Sequence, residues 1–177
     1  MLFKIKEIGD EGLSLNLPVT AAWLAGECPD LDAVVGPRGL AVRGQLSTTD
    51  GDVFLRGTLR GELEGTCARC LEKARLPVDI PLVVTFIARS EDAGEDDDDD
   101  EDDNLDVAKF DGDKVDLGPE IRDQLLLSLP ITPLCRENCA GLCAVCGSNR
   151  NQIACGCQPE QEKTRTPLAA VLGKLKI

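Results

Sequence analysis

The chain has no histidine and no tyrosine, and its five aromatic side chains are Phe3, Trp23, Phe54, Phe86 and Phe110. Without an imidazole it can build neither a Ser–His–Asp nor a Cys–His relay, and any zinc site mixing cysteine with histidine is excluded. Sheets and barrels that read RNA bases stack them on aromatic platforms, and five aromatics leave little for that task once a core is filled. No apolar run approaches the roughly 18 residues needed to span a bilayer as a helix. No phosphate-binding P-loop is present, and no GxGxxG follows a strand. These absences remove imidazole catalysis and leave nucleotide binding without support, and we expect no small-molecule substrate and no membrane span. The opening residues, Met1-Leu2-Phe3-Lys4-Ile5, show neither a hydrophobic signal core nor an arginine-rich transit pattern, so we expect a cytoplasmic location.

The formal charge of −13 is unevenly distributed. Residues 91–103, EDAGEDDDDDEDD, hold 11 acids and no base; setting them aside leaves the other residues at −2. Adjacent like charges repel and nothing in the tract can be buried, so it reads as a disordered acidic loop. Its bland interpretation is a solvated linker. Its functional one is a tether for a basic partner such as a ribosomal protein, or a decoy for nucleic acid. Basic residues collect near one end of a long hairpin, at Arg56, Arg60, Arg69, Lys73 and Arg75. They suit phosphate contacts, or they blunt exposed strand edges.

Cysteine is the residue type that carries chemistry here. Eight of nine cysteines form close pairs: Cys67/Cys70, Cys135/Cys139, Cys143/Cys146 and Cys155/Cys157, with Cys28 alone. Four thiolates in a tetrahedron make the usual closed zinc site, so eight ligands predict two zinc ions. The short spacing within Cys143–Cys157 predicts one local site from Cys143, Cys146, Cys155 and Cys157. The other then joins Cys67 and Cys70 to Cys135 and Cys139 across 64 intervening residues. A swapped partition, with Cys67/Cys70 beside Cys155/Cys157, is the main rival. An iron–sulfur cluster takes the same ligands, and thiol redox chemistry or free thiols are the remaining alternatives.

Along the chain, a short strand at the start, a turn at Gly9–Gly12 and alternating Leu13, Leu15 and Leu17 suggest two strands. Thr20 is placed to cap a brief helix, AAWLAGE. Leu31–Val35 and Leu40–Leu46 read as separate strands around a Gly36-Pro37 turn. After a turn at Thr49–Asp52, residues 53–66 and 76–86 alternate with period two and meet at Cys67/Cys70. The glycines in that hairpin, Gly57, Gly61 and Gly65, suggest close backbone approach or a coiled sheet. Leu105–Phe110 and Val115 are expected to pair around Asp111–Asp113. Gly118-Pro119-Glu120 opens a helix whose face is Ile121, Leu125 and Leu129, widened by Leu126, and Pro130 stops it. A last helix is expected at residues 166–175. The fold class that follows is α+β: a mainly antiparallel curled sheet or partial barrel covered by one helix, with a cysteine-rich zinc-binding segment. We expect a β-rich main domain at 1–130, carrying the acidic loop, and a zinc-knuckle segment with a terminal helix at 131–177.

The order CxRCL (Cys67–Leu71), an acidic insert, Val115-Asp116-Leu117, LLLSLP ending at Pro130, GLCxxCG (Gly141–Gly147) and PLAAVLGKL (Pro167–Leu175) resembles the YceD-like family, the bacterial large-ribosomal-RNA-subunit accumulation proteins with plastid relatives. The resemblance implies a non-enzymatic factor for accumulation or processing of 23S rRNA, acting through a ribosomal protein or a large-subunit precursor particle. Direct RNA contact is the less supported route, because the body lacks a basic field. The competing class is a thiol redox or metal-handling protein that uses the same cysteines.

Overall fold

The computed structural model describes residues 1–89 and 107–157. The acidic tract at 91–103, the start of the strand expected from Leu105 and the helix expected at 166–175 lie outside the described residues. The elements are β1 (Leu2–Lys4), a 3-10 turn (Ile5–Glu7), β2 (Leu13–Pro18), α1 (Ala21–Glu27), β3 (Ala33–Thr49), β4 (Asp52–Thr66), β5 (Lys73–Ala88), β6 (Val107–Phe110), β7 (Lys114–Asp116) and α2 (Gly118–Ser128).

Three long strands make the frame. β5 alternates without a break: Ala74, Leu76, Val78, Ile80, Leu82, Val84 and Phe86 are buried, and the residues between them face outward. β4 matches it in register, with Leu55 opposite Val84, Leu59 opposite Ile80 and Leu63 opposite Leu76. Both strands therefore turn one apolar face to the core, as period-two patterning requires. β3 pairs on the other side of β4 and reaches it through Asp50 and Gly51, both at positive φ as a primed hairpin turn demands.

The sheet is open, which corrects the expectation of a curled sheet or partial barrel. Its order is β2-β3-β4-β5-β6, and the edge strands β2 and β6 do not pair with each other. The hairpin glycines serve close approach instead. A methyl group at Gly57 would sit 2.5 Å from the Arg43 carbonyl oxygen and 2.9 Å from Gly44 Cα, and Gly44 faces it across β3 and β4. Two helices, not one, pack with the sheet: α1 lies against β3 and α2 against β5.

Other local expectations also need correction. The strands expected at Leu31–Val35 and Leu40–Leu46 are parts of one strand that begins at Ala33, and Gly36-Pro37 lies in a register irregularity between Val35 and Leu40 rather than a reversal. β6 and β7 do not pair with each other. β6 runs parallel beside β5, and β7 joins β1 in a separate two-stranded sheet with Phe3 opposite Val115. Alternation reveals which face a residue takes but not which strand lies beside it.

The helices follow their capping signals. Thr20 Oγ1 accepts from the Trp23 N–H at 3.2 Å and starts α1. Pro119 sits in the first turn of α2, and the Gly118 N–H donates to Asp116 Oδ1 at 2.9 Å. That carboxylate is desolvated, which would raise its pKa, but the N-terminal ammonium and the Gly118 N–H hold it below the usual range. Ile121 and Leu125 are fully buried, and Leu129 packs at the rim. Leu126 is exposed and does not widen that face. α2 ends at Ser128, and the chain runs past Pro130 toward the cysteines.

Candidate metal centres

The far end of the β4–β5 hairpin is a tight knuckle. The Leu71 N–H donates to the Cys67 carbonyl at 3.0 Å, and the Cys67 N–H donates to the Glu72 carbonyl at 2.8 Å. The same pair of bonds recurs downstream: Gly147 N–H to the Cys143 carbonyl and Cys143 N–H to the Ser148 carbonyl, each at 2.8 Å. The repeated geometry points both thiols of a CxxC step to one side. In the second copy the left-handed position belongs to Gly147 at φ 70°, and in the first to Leu71 at φ 61°. A side chain there is strained by ~1–2 kcal/mol. Leu71 is exposed and loses little burial when removed. Leu71→Gly is therefore expected to raise the melting temperature by roughly 2–4 °C without changing metal content, as 1 kcal/mol does in a chain of this size. A calorimetric scan with metal analysis checks it.

The chain leaving α2 docks on this knuckle. The Ala68 N–H donates to the Pro133 carbonyl at 2.8 Å, and Arg69 Nη1 to the Cys139 carbonyl at 3.1 Å. Cys67, Cys70, Cys135 and Cys139 thus converge, with all four sulfurs within 4.8 Å of one another. Cys67 Sγ lies 3.8 Å from Cys139 Sγ, and Cys70 Sγ 3.6 Å from Cys135 Sγ. A tetrahedron with Zn–S distances of about 2.3 Å has edges of about 3.8 Å, so the donor set fits. Cys67, Cys70, Ala74 and Cys139 form a small buried cluster of their own, apart from the main core.

Cys143, Cys146, Cys155 and Cys157 form the second group, again with all sulfurs within 4.8 Å. Cys146 is exposed, and its sulfur lies 3.1 Å from Ser148 Oγ. The swapped partition is not the one the structure shows. Cys28 stands apart from both groups, in the main core. Burial raises its thiol pKa.

The loop between Cys146 and Cys155 ties the two groups together, and sequence reasoning missed its side chains. Asn151 Nδ2 lies 3.2 Å from Cys139 Sγ, and its Oδ1 accepts from the Ala140 N–H at 2.8 Å and from Arg136. Asn149 and Gln152 both donate to Glu72 at the hairpin end, at 3.4 and 3.2 Å. The Leu142 N–H donates to the Arg69 carbonyl at 3.0 Å. The available signal was an Asn-x-Asn step between two cysteine pairs, since amides can bridge backbone and thiolate at once.

Without metal, each cluster holds its protons unequally. Burial pushes the Cys67 thiol up, but N–H groups of Cys135, Arg69 and Cys70 aimed at its sulfur bring it down to about 6. The Asn151 amide lowers Cys139. Burial and the neighbouring thiols push Cys135 up to about 12. In the second group the Ser148 hydroxyl and N–H bring Cys146 down to about 6, and hydrogen bonding with Cys146 together with burial pushes Cys157 up to about 12. Fixed donors favour the first thiolates, and like charge resists the rest. A divalent cation removes that repulsion, and its binding releases protons.

Of the basic residues at the hairpin, Arg60 pairs with Asp79 at 2.7 Å, Lys73 pairs with Glu64, and Arg69 holds the Cys139 carbonyl. The two knuckles, the convergence of both cysteine groups and the α2 exit sit within the span matched by the family model for "Large ribosomal RNA subunit accumulation protein YceD", residues 55–176. The chain belongs to the YceD family. An uncharacterised protein of Mycobacterium tuberculosis is 36% identical to this YceD-family chain over 105 residues, covering 57% of this chain and 46% of the relative. The Zea mays "Large ribosomal RNA subunit accumulation protein YCED homolog 1, chloroplastic" is 36% identical over 59 residues, 33% of this chain and 20% of the plant protein. Its Arabidopsis thaliana namesake is 38% identical over 56 residues, 31% and 17% of the two chains. The YceD-family chain thus spans less than half the length of these relatives. No solved structure matches it. Among the described residues, no helix is long and apolar enough to cross a membrane.

Proposed function

We propose that this YceD-family chain is a non-enzymatic ribosome-biogenesis factor. It promotes accumulation or processing of large-subunit rRNA in the cytoplasm through contacts with a ribosomal protein or a large-subunit precursor particle. The observation that carries this reading is the family match across residues 55–176, on both knuckles and the intervening elements. The metal sites take a structural role in it. Each group offers four thiolates, which fills a tetrahedral zinc ion and leaves no open position for substrate or water. Cys67, Cys70, Cys135 and Cys139 would hold one zinc ion, and Cys143, Cys146, Cys155 and Cys157 the other. The first ion would bolt the 131–177 segment onto the 1–130 domain.

Affinity purification of the tagged full chain from cells tests the reading. Enrichment of immature large-subunit particles or of large-subunit ribosomal proteins is the expected result, and a catch free of both overturns it. A second reading, thiol redox exchange, draws on one observation: Cys146 is exposed, with its thiol lowered to about 6. Disulfides that cycle with a glutathione buffer would favour that reading; a colourless, redox-silent zinc protein favours the first.

Removal of residues 91–103 follows from the sequence argument. The tract's eleven acids repel one another and Ala93 is its one apolar side chain, so its deletion is expected to change stability by no more than about 0.5 kcal/mol, as for ordinary surface changes. As a tether, its loss should weaken capture of basic ribosomal proteins and flatten the salt dependence of that capture. A deleted chain that no longer folds would show the tract to be a structural element.

A further inference from the structure

On the face of the sheet turned away from the helices, the strand register assembles a group of exposed cationic side chains. Thr58 on β4 lies between Arg56 and Arg60 on the same face, and Arg43 on β3 stands directly opposite Thr58. All three arginines are exposed. Directly opposite residues have Cβ atoms about 5 Å apart and diagonal neighbours lie about 7–8 Å apart, so Arg43 is a neighbour of both β4 arginines. Asn16 on β2 stands opposite Arg43 on its other side and adds a neutral hydrogen-bonding group. Among the described residues Arg43 and Arg56 make no ion pair. Arg60 pairs with Asp79, both about two-thirds exposed, a contact of the kind water screens heavily.

We infer that this face binds the phosphate backbone of paired RNA. Three guanidinium groups presented from adjacent strands match a row of phosphates in charge and in forked hydrogen-bond geometry. Base reading is disfavoured by what surrounds them: Phe86 and Phe110 are buried, and Phe54, half-buried, is the one aromatic on this face among the described residues. A single strand held without stacking loses its main sequence-tolerant contact. A duplex instead presents phosphates and 2′-hydroxyls as a fixed surface. The choice of RNA as the polyanion rests on the ribosome-biogenesis reading above; the cationic surface itself does not.

The test is fluorescence anisotropy of the full, metal-loaded chain with a labelled RNA duplex of about 20 base pairs, longer than the ~16 that a double-stranded-RNA module spans. A single strand of the same length is the comparison. The triple variant Arg43→Ala, Arg56→Ala, Arg60→Ala is expected to lose roughly 10- to 100-fold in affinity, as when a few charge-assisted contacts go. Its logarithmic salt slope should shrink by about 2–3, near one per phosphate contact. Lys4→Ala, Lys6→Ala, Lys114→Ala, at exposed sites on and beside β1 and β7, should leave both values unchanged. Thr58→Glu places an acid among the three arginines and should weaken binding without touching them, which covers the case of a triple variant that folds poorly. Wild-type affinity retained in the triple variant and in Thr58→Glu, equal affinity for the single strand, or no duplex binding at low salt each overturns the inference. Undiminished capture of large-subunit precursors by the triple variant overturns it too, yet leaves the ribosome reading standing. Duplex binding through the arginines in a chain that captures no precursor does the reverse.

Discussion

Cys67→Ser is expected to release about one metal ion per chain, the consequence of removing one of four ligands from a closed site, and to free the segment after Pro130 from the hairpin. Cys67 is fully buried in a small cluster of cysteines and Ala74, with Leu134 packed at its edge, so little apolar packing remains once the ion leaves. Binding energy at a structural zinc site is folding energy for the parts it joins. The melting temperature should fall by on the order of 10 °C or more, several times the shift that 1 kcal/mol causes in a chain of this size, and limited proteolysis should cut between Pro130 and Cys135. Cys28→Ala is the control. Cys28 is buried among core residues remote from both groups, so its loss should cost about 1 kcal/mol, an ordinary core effect, with metal content unchanged. The second ion should remain in Cys67→Ser but bind more weakly, because Asn151 loses its ordered partner at Cys139 and the Glu72 contacts loosen. Equal effects from the two substitutions would contradict the division into ligands and bystander. Loss of both ions would make the two sites one cooperative unit.

Gly57→Ala should be nearly as damaging without touching a ligand. Its new methyl group would meet backbone on the neighbouring strand, the Arg43 carbonyl oxygen at 2.5 Å and Gly44 Cα at 2.9 Å. Neither is a flexible side-chain end, so β3 and β4 must separate in the middle of their longest pairing. Overpacking of this kind costs about 1–3 kcal/mol, occasionally more. Denaturant unfolding should show that loss while the metal count stays at the wild-type value. A variant as stable as the parent would mean that the strands pass each other less closely than described.

Much of this was legible because alternation and spacing are local signals. β4 and β5 announce their faces residue by residue, and the Thr20 and Pro119 caps mark both helix starts. The cysteine spacings pointed to the partition that the structure shows. What failed was non-local. Gly36-Pro37 reads as a reversal, but the partner strand β4 holds Val35 and Leu40 on one continuous strand with a register shift. The strands expected to pair around Asp111–Asp113 part company, because β6 takes the free edge of the long strand β5 while β7 finds β1 in a separate sheet. Asn151 and Arg43 went unnoticed for the same reason: each matters through a neighbour distant in sequence, Cys139 in one case and Thr58 in the other.

Native mass spectrometry of the full chain, purified without added metal, tests the central claim most directly. The account predicts a mass excess of two zinc ions per chain, with all eight paired cysteines protected from alkylation and Cys28 protected only by its burial. About one ion, none, or a coloured iron–sulfur species in their place would contradict it.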